Sequence, residues 1–394
     1  MQPSVIQIEK NPALRPFHTY IFKLFSRCNL NCTYCYMYNL SDKSFERQPW
    51  SMSDEVILQS LAQIKEHLDT HHKRSAHFVL HGGEPLLGGA PFLANLFAKI
   101  DEVLDPSVYK IDIGIQSNGI LFEPAIGDLL LARRATIGIS LDGPPEVNDF
   151  RRIDHSGRGS SSRVERSLAI LSKEPYRKAF AGFLVVVDID ADPLSVYRYL
   201  ANFQPPAIDF LLPYDNYVRR PKGKENFEST VYADWLLAIF DQWWRDKSPI
   251  RVREFDNIIR MLLGGRSSVE SFGLQPVDIV VVETNGDIEL VDSLKGTFEG
   301  ATHLGYNVRD VRFDQVALHN MVQFRRLGLE ALADTCRSCR LVDICGGGYL
   351  PNRYKAETGF RNPSIYCHDL QKLITSIRNT LAATVTLTGA KGVA

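Results

Sequence analysis

The 394-residue sequence predicts an α/β protein: a partial (β/α)6 TIM barrel followed by a smaller C-terminal, cysteine-rich domain. Two observations point there. Short apolar runs alternate with longer helical patterns through the first half, the signature of a parallel sheet with crossover helices. After residue 213 that alternation stops, and an Asn-Gly hairpin signal and a second group of cysteines follow. The 45 Lys+Arg against 46 Asp+Glu argue against bulk electrostatic binding of nucleic acid or an anionic membrane.

The barrel strands are expected at Tyr20–Phe25, Phe78–Leu80, Ile111–Ile115, Thr136–Leu141, Gly182–Asp188 and Ile208–Leu212. Helices at 52–72, 91–104, 123–134, 161–173 and 192–203 fill the gaps, with Ser51 or Ser53 as N-cap and Pro91 in a first turn. Six units leave the barrel open on one side, where a long substrate can enter. The charged stretch from Arg219 to Glu225 reads as a solvated connector. Beyond it, Val231, Trp235, Leu236, Ile239, Phe240 and Trp243 share one helical face, so only one of Trp243 and Trp244 is expected to face the core. Two β-prone runs around Asn285-Gly286 form a hairpin over Val277–Asp292. A short helix at Leu327–Ala333 and a closing helix at Leu370–Val385 complete the chain. The expected domains are 1–213 (barrel core), 214–276 (helical bridge) and 277–394 (C-terminal domain).

Met1–Lys10 shows no secretory pattern, and no apolar run reaches the ~18 residues of a membrane span. A cytoplasmic protein is expected, and in that reducing compartment closely spaced cysteines point to metal or catalysis rather than disulfides. The seven cysteines divide three plus four: Cys28, Cys32 and Cys35 directly after the first strand, and Cys336, Cys339, Cys345 and Cys367 near the C-terminus. Four thiolates close a tetrahedral zinc or a cubane cluster, whereas three leave a metal position open. On spacing alone, a zinc knuckle completed by a histidine such as His18 stands beside the cluster reading for the first group, and a structural zinc for the second.

Strand ends carry further candidates. His81-Gly82-Gly83-Glu84-Pro85 lets the backbone approach a ligand and offers Glu84 to an ammonium. Gln116-Ser117-Asn118-Gly119 offers donors and acceptors to a ribose. Ser140-Leu141-Asp142-Gly143 is followed by Arg151 and Arg152, able to meet a carboxylate. Each alone is ordinary turn chemistry; three in order behind a three-cysteine loop are a constellation.

These residues resemble the radical S-adenosylmethionine (SAM) superfamily. The spacing of Cys28, Cys32 and Cys35 with Tyr34 before the last matches its signature, and Gly82-Gly83-Glu84-Pro85 looks like its motif for the SAM amino group. The resemblance implies a 4Fe-4S cluster on the three thiolates, completed by SAM, and a 5'-deoxyadenosyl radical that abstracts hydrogen. It also implies SAM contacts at Ser140 and Arg152, with Asn118 and Asp142 as further candidates, and an external one-electron reductant such as flavodoxin or ferredoxin. The C-terminal group is similar to the SPASM domain of peptide-modifying members. A full SPASM domain carries seven cysteines; those expected around the hairpin are absent here, and Tyr349 stands where a further ligand would follow Cys345. One auxiliary 4Fe-4S cluster, on Cys336, Cys339, Cys345 and Cys367, is implied.

Phe22-Lys-Leu-Phe-Ser-Arg-Cys, Leu262-Leu-Gly-Gly-Arg-Ser, Val281-Val-Glu-Thr-Asn-Gly, Val291-Asp-Ser-Leu-Lys and Cys345-Gly-Gly-Gly-Tyr resemble the cyclophane-forming radical SAM/SPASM maturases. The implied partner is a ribosomally made precursor peptide, leader plus core, in which an aromatic ring carbon is joined to a β-carbon two residues on. Asp292 resembles the acidic residue of sulfatase-maturing relatives and is the candidate base; a turn-capping role is the alternative. No leader-binding domain is expected ahead of the barrel, so strand addition at a sheet edge is the expected mode of leader recognition. A maturase making a thioether or a formylglycine is the competing activity, and a metal-stapled peptide-binding scaffold the non-enzymatic one.

Overall fold

The structure, a computed structural model, describes residues 14–391, with side chains to residue 384. Met1–Lys10, read above for targeting signals, lies outside the described residues. The scaffold is one ten-stranded sheet: β1 (Thr19–Phe25), β2 (Ser75–Gly82), β3 (Lys110–Ser117), β4 (Thr136–Ser140), β5 (Phe180–Val186), β6 (Ala207–Leu211), β7 (Arg251–Val252), β8 (Ile279–Val282), β9 (Asp287–Glu289) and β10 (His303–Asn307). Their order is β10-β9-β8-β1-β2-β3-β4-β5-β6-β7. From β8 through β7 every neighbouring pair is parallel. All six barrel strands form where the apolar runs predicted them.

β1 is the hinge of this arrangement. It pairs with β2 on one side and with β8 on the other, so the sheet runs without a break across the boundary expected at 277. Tyr20, Phe22 and Leu24 are buried, as a strand inside a parallel sheet requires. The helix Asp54–Thr70 begins at Ser53, whose side chain accepts from the Val56 amide. Its Ile57, Leu61, Ile64 and Leu68, three and four residues apart, form the stripe it buries.

Four readings are corrected. Trp243 and Trp244 are both half-buried and both contact Phe240, with ring centroids 6.1 and 5.8 Å away, because their large rings reach the core from either side of the helical stripe. The connector from Arg219 is not wholly solvated: Lys224 is buried, and its Nζ donates to Asp369 Oδ2 at 2.8 Å and to the Phe227 carbonyl at 2.9 Å. A basic run hides such a residue when its partner lies 145 positions away. The short helix expected at Leu327–Ala333 is a 3-10 turn over Gly328–Ala331. The hairpin's second strand stops at Glu289, and Asp292 opens a 3-10 turn, Asp292–Gly296. The closing helix, Cys367–Lys391, begins at a predicted metal ligand.

That 3-10 turn delivers Lys295 beneath the hairpin, where its buried Nζ meets Glu283 Oε1 at 2.8 Å and Glu289 Oε2 at 2.9 Å. Thr302 also donates to Glu289. Burial, with Glu283 beside it, pushes the Glu289 carboxyl up to about 7 against the pull of Lys295. Removing one member of such a group strands charge in a dry site. Lys295→Met is therefore expected to destabilise the protein by about 3–5 kcal/mol, measured by chemical denaturation.

Candidate functional site

One cavity lies at the C-terminal ends of the barrel strands, where such folds place their chemistry, and a second adjoins it and reaches down to His18 and Ile279 at the starts of β1 and β8. The first, about 520 Å³, is lined by Cys28, Cys32 and Cys35 together with Tyr34, Gly82, Gly83, Asn118, Ser140, Asp142 and Arg152. The second, about 660 Å³, is lined by Asp292, Ser293, Tyr349, Asp209 and Glu254, among others. Tyr36, His81, Leu211, Leu212 and Tyr214 border both cavities. Long-range packing thus assembles all but one of the barrel residues expected to hold the cluster or SAM around one space, with Asp292 on the wall of the next.

The exception is Glu84. It is fully buried and does not line the cavity; Oε1 accepts from Ser117 Oγ (2.7 Å) and Leu86 N (3.0 Å), and Oε2 from Asn118 N (2.8 Å). Where an ammonium contact was expected, this carboxylate ties the end of β2 to the end of β3 and so fixes Asn118. The Gly82-Gly83 turn is sterically compulsory: a Cβ on Gly83 would stand 2.0 Å from Tyr38 Oη and 2.1 Å from the Arg27 carbonyl.

One hydrogen-bonded chain crosses the first cavity. Arg152 donates to Tyr34 Oη at 2.7 Å, and Tyr34 donates to Asp142 Oδ2 at 2.6 Å, while Asp142 Oδ1 accepts from Val186 N. Arg151 lies over the Tyr34 ring, 5.0 Å from its centroid. Asn118 donates to Asn29 Oδ1, and Ser140 Oγ accepts from Gln116. Arg152 Nε is buried with no hydrogen-bond partner, a donor left over for an anionic group.

The thiols suit iron clusters. Burial pushes Cys35 up to about 11 and raises Cys28 and Cys32, the last against the opposing pull of Arg152. In the C-terminal domain Cys336, Cys339, Cys345 and Cys367 line one cavity of about 250 Å³, and burial pushes Cys345 up to about 12 and Cys367 to about 11. Such thiols ionise when a metal supplies the compensating charge. Arg353 and Lys224 add buried cations nearby. Arg353 is wrapped by the Gly346 and Gly348 carbonyls of a loop in which a Cβ at Gly346 would meet Gly273 O at 1.9 Å.

Ligand spacing picks out a third group. Zinc bound at ~2.3 Å to each thiolate brings the sulfurs about 3.8 Å apart. Among the described residues, the group whose three ligand atoms all fall within 4.8 Å of one another is His67, His71 and Asp314, not either cysteine set. In that group the Phe17 amide donates to His67 Nε2, which leaves the ring proton on Nδ1, 2.5 Å from Asp314 Oδ1. The proton occupies the atom a metal would need.

At the edge of the second cavity stand residues that sequence reasoning missed. Lys23, buried in β1, contacts Asp292 Oδ2 at 2.5 Å, His81 Nδ1 at 3.3 Å and Met37 Sδ at 3.3 Å. Burial pushes the Asp292 carboxyl up, but Lys23 leads the opposing charges and the net shift is downward. Burial, with Lys23 beside it, pulls His81 down to about 4, so at neutral pH the imidazole is uncharged. Tyr36, Tyr214 and Tyr349 form an aromatic wall, with centroids 5.1 Å and 5.6 Å apart in successive pairs, and Tyr349 Oη lies 2.6 Å from Ser293 Oγ. The one available signal was a lysine inside an otherwise apolar strand run.

Residues 22–194 match the model of the radical SAM superfamily. The barrel has the radical SAM fold. A "Cysteine-type anaerobic sulfatase-maturating enzyme" of Clostridium perfringens (strain 13 / Type A) is 26% identical over 353 residues, covering 88% of this chain and 92% of that protein. A "Serine-type anaerobic sulfatase-maturating enzyme" of Bacteroides thetaiotaomicron is 24% identical, covering 87% and 84%. Native anSMEcpe with bound AdoMet superposes with a TM-score of 0.75 at 25% identity, over 92% of this chain and 99% of that one. Streptococcus suis SuiB bound to precursor peptide SuiA shares the fold, with a TM-score of 0.58 at 14% identity, over 90% and 76%. Among the described residues no helix is long and apolar enough to cross a membrane.

Charge-assisted hydrogen bonds contribute roughly 1.5–3 kcal/mol. Arg152→Gln in the radical SAM domain is therefore expected to weaken SAM binding by roughly 10- to 100-fold, read by calorimetric titration of SAM into cluster-reconstituted protein.

Proposed function

We propose that this protein is a radical SAM peptide maturase that acts at the β-carbon of a precursor residue and crosslinks it to a neighbouring aromatic ring. Cys28, Cys32 and Cys35 would hold the SAM-binding 4Fe-4S cluster; Tyr34, Gly82, Gly83, Asn118, Ser140, Asp142 and Arg152 would surround SAM; Cys336, Cys339, Cys345 and Cys367 would hold an auxiliary cluster. When bound, these groups supply hydrogen-atom abstraction from the peptide and an iron-sulfur acceptor for the one electron that leaves. The chain's own residues do the rest. The tyrosine wall packs against an aromatic side chain, and Asp292 takes the ring proton.

The observation that carries the reading is the state of Asp292. It lines the peptide-sized cavity that borders the SAM cavity, and its Oδ1 is buried without a hydrogen-bond partner while Oδ2 is held by Lys23. An ionised carboxylate with one free oxygen is arranged to accept a proton. A ring that must shed a proton to regain aromaticity is a strong acid, so a base of low pKa suffices.

The choice of bond divides the support. The named relatives favour formylglycine formation, since several are sulfatase-maturating enzymes. Cyclophane formation draws on the motif resemblance, Val291-Asp-Ser-Leu-Lys295 above all. Mass spectrometry decides between them after anaerobic co-expression with each short open reading frame that flanks the gene, tested in turn as the precursor. A cyclophane lowers the mass by two hydrogens per ring and leaves every Cys and Ser intact; conversion of a Cys or Ser to an aldehyde establishes the formylglycine reading instead. Asp292→Asn is expected to keep SAM cleavage and lose crosslinking by roughly 10²-fold or more; crosslinking at the wild-type rate removes Asp292 from the mechanism.

Cys336→Ala separates an electron-carrying auxiliary cluster from a structural staple. Loss of product from a folded variant that still forms 5'-deoxyadenosine supports electron exit through the C-terminal domain. A folded, fully active variant rules it out.

A further inference from the structure

We propose that Lys23 is the positioning residue of the proton-accepting site: it holds one oxygen of Asp292 and leaves the other as the acceptor for the peptide's proton. The inference rests on the reading of Asp292 as base and adds the residue that makes it one. Lys23 stands opposite His81 in the β1–β2 register, on a strand whose last four residues are all buried, and its side chain is fully buried. Its three N–H donors meet three acceptors on three segments: Met37 Sδ after the cysteine loop, His81 Nδ1 on β2 and Asp292 Oδ2 after the hairpin. No donor is left over, so the ammonium has one orientation, and the carboxylate it grips has one free oxygen.

The charges facing Asp292 come from every side. Lys23 is on β1, His81 on β2, Lys295 on the 3-10 turn of Asp292 itself, and the Tyr36 and Tyr214 rings close the cavity side. His81 is uncharged at neutral pH, and Lys295 is committed to Glu283 and Glu289. Lys23 is the cation in direct contact. Without it, desolvation dominates and the carboxyl takes up a proton at a higher pH, which fills the acceptor before the peptide's proton arrives. In the step itself the aromatic C–H bond breaks, its electron pair stays with the ring, and an O–H bond forms on Asp292. The surplus electron leaves to the iron-sulfur acceptor already named.

The test uses Lys23→Met, which keeps the length of the side chain and removes its charge. Infrared spectra of the purified variant at neutral pH are expected to show a protonated-carboxyl band that is absent from wild type and lost again in the Lys23→Met/Asp292→Asn double variant. With the flanking-frame peptide that wild type converts, peptide conversion of any kind, followed by mass, is expected to fall at least 10-fold at neutral pH and recover as the pH is raised. Formation of 5'-deoxyadenosine should be retained. Absence of the band, or a band with an unshifted pH profile, would overturn the proposal. If Lys23→Met does not fold, Lys23→Gln, which keeps a donor without the charge, is put through the same measurements. Failure of the maturase reading is recognised separately: wild type then cleaves SAM and converts no peptide, while the infrared comparison still reports whether Lys23 sets the state of Asp292.

Discussion

The buried contact between Lys23 and Asp292 joins the two halves of the molecule at the place where their cavities meet. Lys23 belongs to the first barrel strand, five residues before the first cysteine, and Asp292 to the turn that closes the C-terminal hairpin. A buried ion pair is a poor source of stability, because desolvation consumes most of the Coulombic gain. It is a strong source of geometry, because either partner alone in that position is costly. Holding the hairpin to the barrel by such a pair ties the register of β8 on β1 to the chemistry: a displaced sheet would separate the two charges.

The same logic explains why the cavities share a border. Tyr36 follows Cys35 directly, His81 precedes the Gly82-Gly83 turn, and Tyr214 follows β6, so three of the segments that build the first cavity also contribute a side chain to the second. A reactive group generated at the cysteine loop has only this border to cross before it meets a peptide. The close approach of backbone at Gly83 and the occupied oxygens of Glu84 hold the border rigid, which confines the reaction to one part of the substrate.

Much of this was legible in the sequence, and what was not has a physical pattern. Parallel strands buried on both faces leave unbroken apolar runs, and all six barrel strands were found that way; Ser53 announced its helix by its capping chemistry. The first cysteine group and the strand-end motifs are local in sequence, so their convergence on one cavity could be anticipated. Lys23, Lys224 and Lys295 could not, because their roles are fixed by carboxylates 269, 145 and as few as 12 positions away. A lysine in a sequence carries no mark of burial. Only Lys23 gave a hint, by interrupting an apolar strand run. Glu84 carries a role its motif did not announce: beside the expected ligand contact, its oxygens tie β2 to β3 through Ser117, Leu86 and Asn118.

Beneath the hairpin, Glu283, Glu289 and Lys295 form an ion triad that crosslinks its short strands through a single buried ammonium. A triad can staple but cannot accept an electron. If the peptide ring must lose one, the acceptor in this domain has to be at the remaining four thiols, beneath the Gly346–Gly348 loop and beside Arg353. Tyr349 leaves that loop and enters the aromatic wall of the second cavity, so the segment that carries Cys345 also lines the space that borders the cysteine-loop cavity.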